Sequence, residues 1–183
     1  DSSPDWSPDG SRIAFHSDFE EGGVSEIYSM KPDGADLIRL TDLGGMNRDP
    51  SWSPDGQTIV FAHFAADWEL YTVGADGTGV GRLDGAGNGW QPAWSPVGDK
   101  IVFASQRDGY WNLYLVQIDD GSLVRLTNSE GDNLEPVWSP TGDQIAFSSN
   151  RNGAFEIFVM DSNGDNVVST GQQGFPYDWA VVG

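Results

Sequence analysis

Short apolar runs of three to five residues recur along the whole chain, separated by Gly-, Pro- and Asp-rich punctuation. No stretch shows the three-and-four spacing of an amphipathic helix. One family of runs is apolar throughout: Ile13-Ala14-Phe15, Ile59-Val60-Phe61, Ile101-Val102-Phe103 and Ile145-Ala146-Phe147. β-branched and aromatic runs of that length read as strands covered on both faces. A second family opens polar, then aliphatic, then aromatic: Glu26-Ile27-Tyr28, Glu69-Leu70-Tyr71, Asn112-Leu113-Tyr114 and Glu156-Ile157-Phe158. Two hairpin signals frame these runs. Ser-Pro-x-Gly precedes the first, and Asp-Gly or Asn-Gly follows the second at Asp33-Gly34, Asp76-Gly77, Asp120-Gly121 and Asn163-Gly164. Pro presets the first turn position and Gly takes the left-handed one, so the whole chain predicts antiparallel hairpins.

The order of these signals repeats. Trp-Ser-Pro-x-Gly begins at Trp6, Trp52, Trp94 and Trp138, spaced 46, 42 and 44 residues apart, with a degenerate fifth copy 41 residues on at Trp179. A period of forty-odd residues containing four short strands is one blade of a β-propeller. The expected fold is all-β: one domain over 1–183, built of four four-stranded antiparallel blades at about 1–43, 44–86, 87–129 and 130–170. Residues 171–183 start a fifth repeat and predict an extra strand over Tyr177-Asp178-Trp179-Ala180-Val181-Val182. The anchors Trp6, Trp52, Trp94 and Trp138 are expected to be structural, each buried between blades. With the four strands of each repeat lettered A to D in chain order, strand D ends in Arg39-Leu40-Thr41, Arg82-Leu83 and Arg125-Leu126-Thr127, but in Ser169-Thr170 in the fourth copy, as suits a terminal repeat.

Composition narrows the partners. Twenty-eight acidic against nine basic residues give a formal charge of −19, which repels nucleic acid and anionic membranes. The longest apolar runs, such as Ile59–Ala62, are far too short to span a bilayer. Cysteine is absent, which removes disulfides, thiolate metal sites and a cysteine nucleophile. Beginning at Asp1 without an initiator Met or an apolar leader, the chain reads as a processed product or a piece of a longer one.

Taken together, Pro-x-Trp-Ser-Pro-Asp-Gly, Ile-Ala-Phe, Glu-Ile-Tyr-x-Met, Asp-Gly and Arg-Leu-Thr resemble the TolB-like (WD-like) propeller repeat over essentially the whole chain. The resemblance implies a non-enzymatic protein-binding or assembly module in the periplasm or outside the cell, with any catalysis in another domain. TolB-like rings commonly have six blades, so four repeats and a stub leave ring closure open. Self-association through open blade edges is one expectation. An accessory propeller of a larger secreted hydrolase or peptidase is the alternative.

Candidate chemistry is sparse. The residue before each strand-A Pro is Ser3, Asp49, Gln91 or Glu135. These polar groups are expected to converge on one mouth of the axial channel, where Asp49, Gln91 and Glu135 would take a basic side-chain tip or a divalent cation such as calcium, no other cofactor being implied. Asp161, Asn163 and Asp165 imitate the start of a calcium loop, but position 172 is Gln, and the segment reads as a turn. His16 and His63 fall one register apart and form no repeating pair. No Gly-x-Ser-x-Gly elbow occurs, and Ser7, Ser53, Ser95 and Ser139 read as turn residues. Trp68 and Trp111 head strand C and suit blade packing. Trp90, behind Gly87-Asn88-Gly89, is the candidate exposed aromatic contact.

Overall fold

A computed structural model describes residues 2–19, 24–128 and 131–179. Each repeat forms one meander sheet with its strands in chain order. Blade 1 holds β1 (Ser2–Trp6), β2 (Ile13–Ser17), β3 (Glu26–Met30) and β4 (Ile38–Arg39). Blade 2 holds β5 (Met46–Trp52), β6 (Thr58–Phe64), β7 (Trp68–Gly74) and β8 (Gly81–Arg82). Blade 3 holds β9 (Trp90–Trp94), β10 (Lys100–Ser105), β11 (Asn112–Gln117) and β12 (Leu123–Arg125). Blade 4 holds β13 (Asn133–Trp138), β14 (Gln144–Ser149), β15 (Glu156–Asp161) and β16 (Val168–Gln173), the last running past the expected boundary at 170. All pairings are antiparallel, and the four sheets make a four-bladed β-propeller.

The repeated turn explains the hairpins. Gly10, Gly56, Gly98 and Gly142 donate to the carbonyls of Ser7, Ser53, Ser95 and Ser139 at 2.8–2.9 Å. Three of these serines also accept the N–H that opens the next strand, from Arg12, Thr58 and Gln144. Their hydroxyls donate to Asp9, Asp55 and Asp143 at 2.6–2.8 Å, which locks the turn from both sides.

The core lies between blades. Ala14, Ile27 and Leu40 of blade 1 pack on Trp52, Ile59, Phe61 and Val73 of blade 2. Val102, Leu113 and Leu115 of blade 3 pack in the same way on Trp138, Ile145, Phe147 and Met160 of blade 4. Each anchor tryptophan therefore needs a preceding blade. Trp52 and Trp138 are 6% and 7% exposed, and Trp94 is half-buried. Trp6 is 54% exposed, contrary to expectation, because among the described residues no blade packs on that face of blade 1. Among the described residues, the strands of blade 1 touch no strand of blade 4, so the ring is open there.

Past β16 the chain turns back onto blade 4. Gly174 donates to the Phe155 carbonyl at 3.0 Å, the bond by which Asn47, Gly89 and Asn133 lead their strands A onto the preceding blade. Phe175 packs tilted against Phe155 with ring centroids 5.0 Å apart. Residues 175–179 thus take the seat of a fifth strand A without ladder pairing, and Ala180–Val182 lie outside the described residues.

Candidate functional site

Every strand A breaks its register with strand B at the same place, between Ser2 and Asp5, Arg48 and Ser51, Trp90 and Ala93, and Leu134 and Val137. The residue at the break has a left-handed backbone in all four blades: Ser3 (φ 50), Asp49 (φ 52), Gln91 (φ 51) and Glu135 (φ 51). None is glycine, and each is followed by Pro, which contributes no ladder N–H. A bulge with a left-handed residue re-aims its side chain out of the strand's alternation, at a backbone cost of roughly 1–3 kcal/mol per site.

The re-aimed side chains meet. Ser3 Oγ donates to Asp49 Oδ1 at 2.7 Å. Gln91 Oε1 accepts the Glu135 backbone N–H at 3.0 Å, and Gln91 Nε2 points at Glu135 Oε1 at 3.4 Å. Burial raises the Glu135 carboxyl above its ordinary pKa, the nearby Asp49 charge adds to this, and the Gln91 amide partly offsets it. The four side chains thus form two hydrogen-bonded pairs, Ser3 with Asp49 and Gln91 with Glu135.

His16 joins from strand B, a neighbour that the position-by-position reading of strand A missed. Its Nδ1 accepts the Asp49 backbone N–H at 3.3 Å and lies 4.0 Å from Asp49 Oδ1. Burial lowers its pKa, against the pull of Asp49 and with the push of Arg48, so the imidazole is neutral at pH 7. Ser3, His16 and Asp49 do not make a triad. The serine hydroxyl is bonded to the carboxylate and not to the imidazole, and Nδ1 is occupied as an acceptor. Among the described residues, no group of three or more His, Asp or Glu side chains is placed to hold a metal ion.

The model of the TolB beta propeller domain matches residues 1–83 and 75–182. The chain belongs to that family. Among solved structures it is similar to TolB from Acinetobacter baumannii, at 27% identity and TM-score 0.81, covering 92% of this chain and 42% of that one. It is likewise similar to the putative TolB from Agrobacterium tumefaciens, at 27% identity and TM-score 0.85, covering 98% of this chain and 69% of that one. A puromycin-hydrolyzing peptidase of Mycobacterium tuberculosis, 18% identical with TM-score 0.71 over 93% of this chain and 31% of its own, shares the fold alone. No curated protein sequence matches significantly.

Within this TolB propeller, the other candidates serve packing. Trp90 is not a free contact: it is half-buried, stacked on Trp68 at 5.8 Å and tilted against Trp111 at 5.3 Å. Gly89 explains why, since a Cβ there would meet Leu70 Cγ at 2.8 Å and Phe103 at 2.9 Å, and its absence draws the connector into the joint. His63 is buried, with Nδ1 2.8 Å from Asn47 Oδ1 and its ring against Tyr71. Asn163 and Asp165 bond each other within the C–D turn, and Asp161 Oδ2 accepts from Asn166 Nδ2. Two residues that the sequence reading passed over, Arg107 and Arg151, lie over Tyr114 and Phe158 at 4.5 Å, cationic lids on two blades.

Proposed function

We propose that this TolB propeller is a non-enzymatic protein-binding module working outside the cytoplasm, and that its recognition point is the mouth formed by Ser3, Asp49, Gln91 and Glu135. The observation that carries the reading is the left-handed backbone at the same position in all four blades, with Ser3 bonded to Asp49 and Gln91 to Glu135. Two carboxylates, an amide and a hydroxyl in a chain of net charge −19 suit a Lys or Arg tip presented by a partner protein. They suit a divalent ion less well, because calcium takes six to eight oxygen ligands. Assembly with further copies through the open blade edges belongs to the same reading. The family supports a binding role, and nothing in the mouth is arranged as a nucleophile with its base.

Titration calorimetry with an Arg-tipped hairpin peptide, with calcium and with manganese tests the mouth. Expected is peptide binding that weakens with salt and is lost in the Asp49→Asn, Glu135→Gln double variant. Binding of calcium alone would move the assignment to a cation site. Absence of all three responses removes the mouth as a recognition point.

A further inference from the structure

Arg48 and Asp49 are consecutive and oppositely charged, yet they form no ion pair. The bulge keeps them apart. The ladder breaks between Arg48 and Ser51, and the left-handed backbone at Asp49 turns its carboxylate out of the strand's alternation. There the carboxylate accepts from the Ser3 hydroxyl at 2.7 Å and lies 4.0 Å from His16 Nδ1. Arg48 keeps its ladder position opposite Ala62.

Among the described residues, Arg48 is the one base that no protein group engages. Lys31, Arg39, Arg82 and Arg125 pair with carboxylates at 2.5–3.2 Å. Lys100 lies 3.9 Å from Asp99 and over the Trp138 ring. Arg12, Arg107 and Arg151 donate to protein oxygens. The Arg48 Nε–H is sealed from solvent without an acceptor, while its terminal nitrogens are neither bonded nor sealed. The residue as a whole is half-buried.

The other internal joints treat this position differently. Between blades 2 and 3 it is Trp90, stacked on Trp68 at 5.8 Å. Between blades 3 and 4 it is Leu134, packed with Trp111 on the core. Between blades 1 and 2 the residue matching Trp68 and Trp111 is Ser25, whose hydroxyl is spent on the Asn47 carbonyl at 2.8 Å. Arg48 therefore has no ring to stack on. A guanidinium partly stripped of water and holding no carboxylate gains more from an incoming one than a hydrated surface cation does, because no internal pair has to break. The joint lies inside blades 1 and 2, so this holds whatever packs on their outer faces.

We propose that Arg48 is the anion-reading half of a two-signed mouth: an Asp or Glu side chain of the partner protein docks on its terminal nitrogens, while Asp49 and Glu135 take the basic tip. This rests on the mouth reading above and names the partner more closely, as a segment in which an acidic residue neighbours the Lys or Arg. Arg48 and Asp49 are adjacent, with Cα atoms about 3.8 Å apart, a spacing that neighbouring residues of a partner match. In a chain of net charge −19 an acidic side chain is repelled almost everywhere else. Arg48 thus fixes which way round the partner segment lies, and it disfavours segments that present only basic residues relative to those with both signs.

Titration calorimetry on the full chain tests this with two hairpin peptides, tipped Arg-Asp and Arg-Asn and blocked at both ends. Arg-Asp is expected to bind about five- to tenfold tighter than Arg-Asn. That preference should vanish in Arg48→Gln and survive in part in Arg48→Lys, with circular dichroism confirming that both variants fold. Nitrogen-15 NMR of the Arg48 Nε–H reads the site in the unaltered chain and without a basic tip. Sodium acetate is expected to shift this resonance, and sodium chloride at equal ionic strength is not. The proposal is overturned if acetate leaves the resonance where it is, or if both peptides bind with equal affinity. If neither peptide binds while acetate still shifts the resonance, the mouth reading fails and the anion site at Arg48 stands.

Discussion

Asp5 Oδ2 accepts the backbone N–H of Trp52 at 2.7 Å, and the Trp52 indole donates to the Asp5 carbonyl at 3.2 Å, so one residue of β1 holds the next blade's anchor twice. Burial pushes the Asp5 carboxyl up to about 6 from 3.8, against the pull of the Trp52 and Trp6 N–H groups, and Asp178 adds to the rise. A carboxyl raised in the folded state binds its proton more readily there than in the unfolded chain. Its destabilising effect is full above about pH 6 and is relieved as pH falls toward 4. Asp9 has the opposite sign: hydrogen bonds from Ser11 and Ser7 hold it at about 2, and the stability it contributes is lost as pH falls from 3.8 through 2. Urea unfolding followed from pH 3 to pH 8 should therefore show stability rising on acidification from pH 7, then falling below about pH 4. Asp5→Asn should gain about 1–3 kcal/mol at pH 7 and flatten the response between pH 4 and 6. An unchanged profile in that variant refutes the assignment.

The anchors are alike in sequence but not in burial, and this predicts unequal costs. Trp138→Ala opens a cavity between blades 3 and 4 and removes an indole bond, and should cost about 3–5 kcal/mol. Trp6→Ala in the monomer should cost less than about 1 kcal/mol, since Trp6 is already half in solvent. Denaturant midpoints of the two variants decide it, and equal losses would mean that Trp6 is sealed in solution.

What was legible in the sequence was what local chemistry dictates. Trp-Ser-Pro-x-Gly marks a turn because Pro, the serine hydroxyl and the left-handed glycine act within five residues. The apolar runs mark doubly covered strands because burial leaves no polar alternation. Relations between repeats were harder to see. The motif at Trp6 is as intact as at Trp52 and Trp138, yet its exposure differs, because burial depends on a neighbouring blade that the motif does not encode. The Gly-rich connector Gly87-Asn88-Gly89 marks Trp90 as an exposed contact, but Gly89 is small because Leu70 and Phe103 crowd it, and that crowding carries Trp90 inward. At the mouth, the polar residue before each Pro was visible. The left-handed bulge that turns it was not, because its φ depends on pairing with strand B.

No catalytic turnover is expected from the chain by itself. Ser3 bonds Asp49, His16 Nδ1 receives a backbone N–H, and His63 is buried against Asn47, which leaves no serine activated by an imidazole among the described residues. A panel of esterase, peptidase and glycosidase substrates checks this. Turnover that disappears in His16→Ala or His63→Ala would overturn it.

The last prediction concerns Glu26, 2% exposed at the joint of blades 1 and 2. Its carboxylate accepts from Thr41 Oγ1 at 2.5 Å, Asn47 Nδ2 at 2.9 Å and Arg39 at 3.2 Å. Thr41 in turn accepts the Ile27 N–H, so one network ties β3, the end of blade 1 and β5 together. Blade 3 builds the same corner without a charge: Asn112 Oδ1 accepts from Thr127 Oγ1 at 3.0 Å, and Thr127 accepts the Leu113 N–H. A neutral amide therefore satisfies the geometry. Glu26→Gln should cost about 1 kcal/mol or less, because an acceptor oxygen remains for Thr41 and Asn47 while Arg39 keeps Asp42. Glu26→Ala removes the buried acceptor of the Thr41 hydroxyl and leaves the Asn47 amide with the Ser25 carbonyl alone, and should cost about 2–4 kcal/mol. Chemical denaturation of both variants measures the gap. If Gln is as damaging as Ala, the corner depends on the charge itself, and the likeness to blade 3 fails.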